Sequence, residues 1–501
     1  MSTTIVSPAG RAVFFCLALV AVPLHADVRL PAIFANHMVI QRSEPVHVWG
    51  SAAAQESVAV AFRGTQRSTT ADAFGRWSVE LPPGEAGGPF VLSVQGASRI
   101  TLSDVLVGDV WVASGQSNMG FAVKEGKDAA QEIASANIPQ LRLMNVNQRY
   151  ADYPQDDLDV LLPWSVSAPG TVEDFSAVAY FFGRELVQRE RVPIGIIESA
   201  WGGTPAEAWT SMRALSQDAS LMPVFSAWAA MQGAEPAAAL AQDQEHRELE
   251  KQAGTDENLR LPWHPVFRAW APAALFNGMI APLTRYPIRG VIWYQGESNT
   301  DSLRYAIYGR LFRALIQDWR AAWSEGDFPF LYVQIANYRA GPEDHWPEIR
   351  EAQRGALDLV NTAMAVTIDI GDPENIHPAD KQDVGHRLAL AARAVSYRES
   401  VEDSGPLFRS SIREGAELRL FFDHAGDGLA VKGGRPEGFE IAGADGHFVP
   451  AAARVEGATV VLSNPAVAAP VEARYGWADD PACNLYNQAG LPASPFRTAL
   501  R

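Results

Sequence analysis

Six short apolar runs, at residues 105–113, 140–146, 192–199, 288–294, 329–336 and 362–369, alternate with helical stretches. No other feature of the chain restricts its fold so much. Apolar runs without polar alternation suit strands buried on both faces, and strands separated by helices line up through crossovers. The chain therefore predicts an α/β fold, a mostly parallel sheet flanked by helices. The helix after the fourth run carries Ile307, Leu311, Leu315 and Trp319 within 302–323, one apolar stripe to lay on that sheet.

The flanks read differently. Residues 27–103 carry short strand-like runs such as Val58-Ala59-Val60-Ala61-Phe62, separated by Gly, Pro and Ser, and predict an N-terminal β domain. The α/β domain then spans 104–398. Residues 213–275, rich in Ala, Gln and Glu, interrupt it as a helical insertion, either a cleft wall or a solvent-exposed hairpin. Leu418-Arg419-Leu420-Phe421-Phe422 and Thr459-Val460-Val461-Leu462 mark a β-rich region over 399–501.

Residues 1–26 read as an export signal. Arg11 precedes the apolar run Ala12 to Val22, and Leu24-His25-Ala26 offers a cleavage site. The run falls short of the ~20 apolar residues that cross a bilayer. The expected location is therefore periplasmic or secreted, with no membrane span in the mature chain. Cys16 leaves with the signal, so Cys483 has no intramolecular disulfide partner. The 41 Lys and Arg against 58 Asp and Glu leave a net charge of −17, which disfavours nucleic acid and anionic membranes as partners.

Ligands of open parallel sheets sit at the carboxyl ends of the strands, and polar clusters occur there. Gly115-Gln116-Ser117-Asn118-Met119 follows the first run. A serine on a tight turn leaving a strand exposes its hydroxyl, and its own N–H can face an oxyanion. A plain turn or helix cap uses the same residues. Gln295-Gly296-Glu297-Ser298-Asn299 follows the fourth run; Gln295 can donate to an oxyanion, and Glu297 and Asn299 can support the loop. His377 follows the sixth run, behind Asp369, Asp372 and Glu374. Histidine can take the proton of an attacking serine, and an acid then fixes its tautomer. Trp201-Gly202-Gly203-Thr204-Pro205 frees backbone N–H groups for the same oxyanion, or is a turn before a helix. No metal-ligand spacing and no phosphate loop occur, so no metal is expected.

Together these elements resemble the sialate O-acetylesterase family of the SGNH hydrolase superfamily. The resemblance runs from Leu30-Pro31-Ala32-Ile33-Phe34 through Gly203-Thr204-Pro205-Ala206-Glu207-Ala208-Trp209, Tyr294-Gln295-Gly296-Glu297-Ser298-Asn299 and Ile376-His377-Pro378 to Asn484-Leu485-Tyr486-Asn487. It implies an SGNH-type sheet and hydrolysis of O-acetyl esters on sugars without metal or organic cofactor. The sugar is sialic acid or an acetylated plant polysaccharide such as xylan or xyloglucan. By the same resemblance Ser117 matches the nucleophile, His377 the base, and Ser117, Gly203 and Gln295 the oxyanion donors. The acid is Glu374, three residues before His377, or Asp372. A glycan-binding protein with a decayed site, or a glycosidase, are the alternatives; both dispense with Ser117.

Overall fold

The computed structural model describes residues 27–234 and 266–498. The export signal expected over 1–26, and residues 235–265 of the expected insertion, lie outside the described residues.

The central sheet is built from β1 (Arg99–Gly115), β2 (Ile138–Val146), β3 (Val160–Ser167), β4 (Ile194–Ala200), β5 (Gly290–Tyr294), β6 (Phe330–Val333) and β7 (Thr362–Ala365). Their order is β7-β6-β5-β1-β4-β2-β3. Neighbours are parallel except β2 and β3, which run antiparallel. The chain extends the sheet from β1 first towards β4 and β2, then the other way through β5, β6 and β7. That reversal opens a crevice above the carboxyl end of β1, where such sheets bind ligands.

Two helical layers explain the unbroken apolar runs. Val110 and Val112 of β1 join the core under α2 (Tyr305–Trp323) and α3 (Trp346–Gly355). Trp111 and Ala113 join the core under α1 (Ala177–Glu190) and α4 (Lys381–Val395). Alternate residues thus serve opposite layers, and both must be apolar. α2 begins at Tyr305 rather than 302, because Asp301 Oδ1 accepts the N–H groups of Leu303 (2.9 Å) and Arg304 (3.2 Å) in a turn of its own. Its buried stripe includes Tyr308, Leu311, Leu315 and Trp319; Ile307 is only half-buried.

β1 is 17 residues long. Up to Gly108 it pairs with the N-terminal strands Val39–Gln41 and Gly87–Gln95. From Asp109 on it is the centre of the parallel sheet. The boundary expected at residue 103 falls inside this one strand. Beyond α4, short antiparallel sheets surround a separate core containing Leu420, Phe422, Tyr475 and Phe496. Between β4 and β5 the described part of the insertion holds helices at Met212–Gln217 and Pro223–Ala234. Among the described residues no helix is long and apolar enough to cross a membrane.

Candidate active site

The turn after β1 is set by Gly115. Its φ is +133°, and a Cβ there would stand 2.1 Å from Tyr294 O. The chain can then turn back at once: Met119 and Gly120 donate their N–H groups to Gln116 O at 2.9 and 3.0 Å. Gln116 N–H is held by Tyr294 O at 2.9 Å. Ser117 is thereby lifted out of the end of the sheet. Gly115→Ala is expected to cost on the order of 1–3 kcal/mol from the backbone alone, with the clash in addition. The check is a lower Tm together with at least about a tenfold loss of acetate release; wild-type values of both would refute this account of the turn.

His377 reaches the same point from the segment before α4. Its Nε2 lies 2.8 Å from Ser117 Oγ. Burial lowers the pKa of the imidazole below its ordinary 6.5; the Lys381 charge acts in the same direction and Glu125 opposes it. The two side chains share a cavity of about 530 Å³ with Glu125, Asn145, Asp174, Glu198 and Gly202. None of the described residues of the insertion lines it.

The expected acids are not at His377. Asp372 Oδ1 accepts the N–H of Glu374 at 2.9 Å, and Glu374 pairs with Arg339. Asp369 binds Arg387 through both oxygens, at 2.6 and 2.9 Å. Among the described residues no carboxylate lies within ion-pair distance of the His377 ring. These acids are occupied with shaping their own loop and with arginines from other elements. The carboxylate acting on the imidazole through space is Glu125.

Gln295 also sits elsewhere than expected. It is fully buried, and its Nε2 donates to Asn299 Oδ1 at 2.6 Å and to Thr204 O at 3.3 Å. Tyr308 OH donates to its Oε1 at 3.2 Å. With both amide hydrogens taken, Gln295 braces the glycine loop from beneath instead of facing the cavity. Asn299 continues the brace: Oδ1 accepts Ala206 N–H at 2.9 Å, and Nδ2 donates to Glu207 Oε2 at 3.0 Å. Of the two glycines on that loop, Gly202 lies against Ser117, a Cβ on it standing 3.2 Å from Ser117 Cβ. Gly203 follows in a left-handed conformation at φ +67° and does not line the cavity.

One group beneath the site carries no signal of its own in the sequence. Lys381 is fully buried, and its Nζ donates to Asn118 Oδ1 at 2.6 Å. Asn118 Nδ2 donates to Glu297 Oε1 at 2.6 Å and to Ile376 O at 3.0 Å. One amide thus ties the residue after Ser117 to the residue before His377. Burial pushes the Lys381 ammonium down to about 7 and raises the Glu297 carboxyl. The ammonium also stands over the rings of Phe121 (4.7 Å) and Tyr294 (5.6 Å), whose electron-rich faces offset part of the desolvation.

Residues 265–394 match the family model described as carbohydrate esterase, sialic acid-specific acetylesterase. The chain is similar to the sialate O-acetylesterase of Rattus norvegicus, 32% identical over 98% of this chain and 97% of the relative. The human sialate O-acetylesterase is 33% identical over 76% of this chain and 73% of its own length. A solved carbohydrate acetylesterase from Xanthomonas citri superposes with a TM-score of 0.82 at 40% identity, covering 95% of this chain and all of that one (100%). Likeness of this extent means that the chain belongs to the sialate O-acetylesterase family and is a carbohydrate O-acetylesterase, a carboxylic ester hydrolase.

Proposed function

We propose that the chain is exported and removes acetyl groups from neutral, polysaccharide-derived sugars, with Ser117 as nucleophile and His377 as base. The observation carrying the mechanism is the 2.8 Å contact between Nε2 and Oγ at the wall of an open cavity. Ser117 Oγ attacks the acetyl carbonyl while His377 Nε2 takes its proton. The N–H groups of Ser117 and of the Gly202-Gly203 turn face the tetrahedral oxyanion. Collapse expels the sugar oxygen, which takes the proton back from His377. Water, activated by the same imidazole, then frees acetate and restores the serine. Glu125, whose charge favours the protonated ring, steadies the transient imidazolium across the cavity.

The sugar follows from charge. Glu125, Asp174 and Glu198 line the cavity, and among the described residues no lysine or arginine does. Sialate brings a carboxylate of its own, and like charges in a confined space disfavour it. Acetate release from acetylated xylan or xyloglucan oligosaccharides is expected to exceed that from acetylated sialic acid by about tenfold in kcat/KM, the 1.4 kcal/mol typical of one unfavourable charge contact. Equal or reversed preference would end the neutral-sugar reading.

The pH profile tests the base. His377 must be neutral to accept a proton, and its pKa is depressed, so the acid limb of kcat/KM should lie below pH 6.5. Lys381→Met removes the cation that depresses it and should move the limb up. Glu125→Gln removes the opposing anion and should move it down. Shifts of the wrong sign would mean that another group titrates.

A further inference from the structure

The proposed mechanism leaves one ionisable group in the cavity without a task. Glu198 lies near the carboxyl end of β4, in register with Ala113 of β1 and Asn145 of β2. It is only 5% exposed, yet it lines the cavity that Ser117 and His377 share. Its Oε2 accepts the N–H of Ser176 at 3.0 Å. The Ser176 hydroxyl donates in turn to Met119 O at 2.6 Å, two residues past Ser117. The carboxyl group is therefore held in register with the nucleophile turn.

Its other oxygen is different. Among the described residues Oε1 accepts no hydrogen bond, and no lysine, arginine or histidine pairs with Glu198. A buried carboxylate with one bond on about four acceptor positions is costly, and a purely structural acid would be expected to find more partners. Small residues keep the space beside it open. A Cβ on Gly120 would stand 3.9 Å from Oε1 and 3.7 Å from Ala200 Cβ. Burial raises the carboxyl to about 7, so near neutrality it can accept from a hydroxyl or, when protonated, donate to one.

We propose that Glu198 is a substrate-binding residue, whose Oε1 hydrogen-bonds a hydroxyl of the acetylated sugar ring and so aligns the ester with Ser117 Oγ. The proposal rests on the esterase reading above. The chemistry fits a polyol: one rigid acceptor, fixed relative to the nucleophile, selects the ring orientation that presents the acetyl carbonyl. A carboxylate on the sugar would meet it with like charge.

The test compares kcat and KM of wild type, Glu198→Gln and Glu198→Ala on acetylated xylo-oligosaccharide and on 4-nitrophenyl acetate, which carries no sugar. Glu198→Ala should lose about 10- to 100-fold in kcat/KM on the oligosaccharide, the range for a hydrogen bond to a charged group, mostly through KM. The loss on 4-nitrophenyl acetate should be smaller by about tenfold. Glu198→Gln, which preserves shape and the Ser176 bond, should recover part of the difference. Equal losses on both substrates would assign Glu198 to structure and overturn the proposal, as would an unchanged KM for the sugar. If wild type cleaves neither substrate, the esterase reading itself fails; if it cleaves both and only the Glu198 pattern is missing, that reading stands without this residue.

Discussion

Ser117→Ala is expected to lower acetate release by at least about ten-thousand-fold on every substrate while leaving the fold intact. The geometry makes this a clean experiment. The partner found for the Ser117 hydroxyl is His377 Nε2, so alanine removes one half-exposed hydrogen bond, worth about 1 kcal/mol of stability. His377→Ala should match the loss, and the double variant should be hardly worse than either. Groups that act as one unit lose their whole effect with the first removal. Purified variants would be assayed for acetate with acetylated xylo-oligosaccharide and 4-nitrophenyl acetate, and their Tm compared with wild type. Retention of even a tenth of the rate in Ser117→Ala would displace the serine from the mechanism.

The largest loss of stability is expected from Arg350→Met. Arg350 is fully buried on α3 and donates to the carbonyls of Ile335 (3.0 Å), Ala336 (2.8 Å), Ala478 (2.7 Å) and Asp479 (2.8 Å). Burial pushes its pKa down to about 10, which still leaves it charged. Two of those carbonyls follow β6 and two belong to the C-terminal β region, so a single guanidinium joins them. Methionine fills much of the volume but donates nothing. Ile335 O and Ala478 O then lose the donor found for them, while Ala336 O keeps Trp346 Nε1 (2.7 Å) and Asp479 O keeps the Tyr338 N–H (3.3 Å); relief of the buried charge offsets part of the loss. The net cost is about 2–4 kcal/mol, roughly 3–8 °C in Tm. Calorimetry decides it, and a Tm within about 1 °C of wild type would mean that water replaces the arginine at little cost. Activity should fall as well, since Gln353 on the same helix donates to Gln295 O at 3.0 Å.

Much of this was legible in the chain, and the failures have physical reasons. The parallel strands could be read because burial on both faces leaves a continuous apolar run. β3 could not: Pro163 and the irregular Val160-Leu161-Leu162-Pro163-Trp164 pattern hide an antiparallel edge strand. Ser117 and His377, which the structure brings to 2.8 Å, were legible as candidates because each sits in a polar loop that follows a strand. Gln295 was legible as a polar residue at the right place but not as to direction. An amide above the sheet and one below it look alike, and Thr204, whose carbonyl helps orient it, lies 91 residues away. The acids failed similarly. Asp369, Asp372 and Glu374 are all near His377 in sequence, yet Arg387, Arg339 and a local turn claim them. Lys381, at the start of an amphipathic helix, reads as a solvated charge, and only the fold reveals that it is sealed under Asn118.

β1 is a single beam carrying two loads. One end holds the N-terminal strands, the other ends at Gly115, and a bulge at Asp104 (φ +55°) bends the span between them. Just past its midpoint Asp109 is gripped by Nε and Nη2 of Arg42 (2.8 and 2.9 Å) and by Tyr397 OH at 2.9 Å. Arg42 directly follows the N-terminal strand Val39–Gln41, so that strand is tied to β1 beyond the bulge, a few residues before the Ser117 turn. The N-terminal strands are thus less an appendage that can be traded between enzymes than the footing on which the serine is levelled.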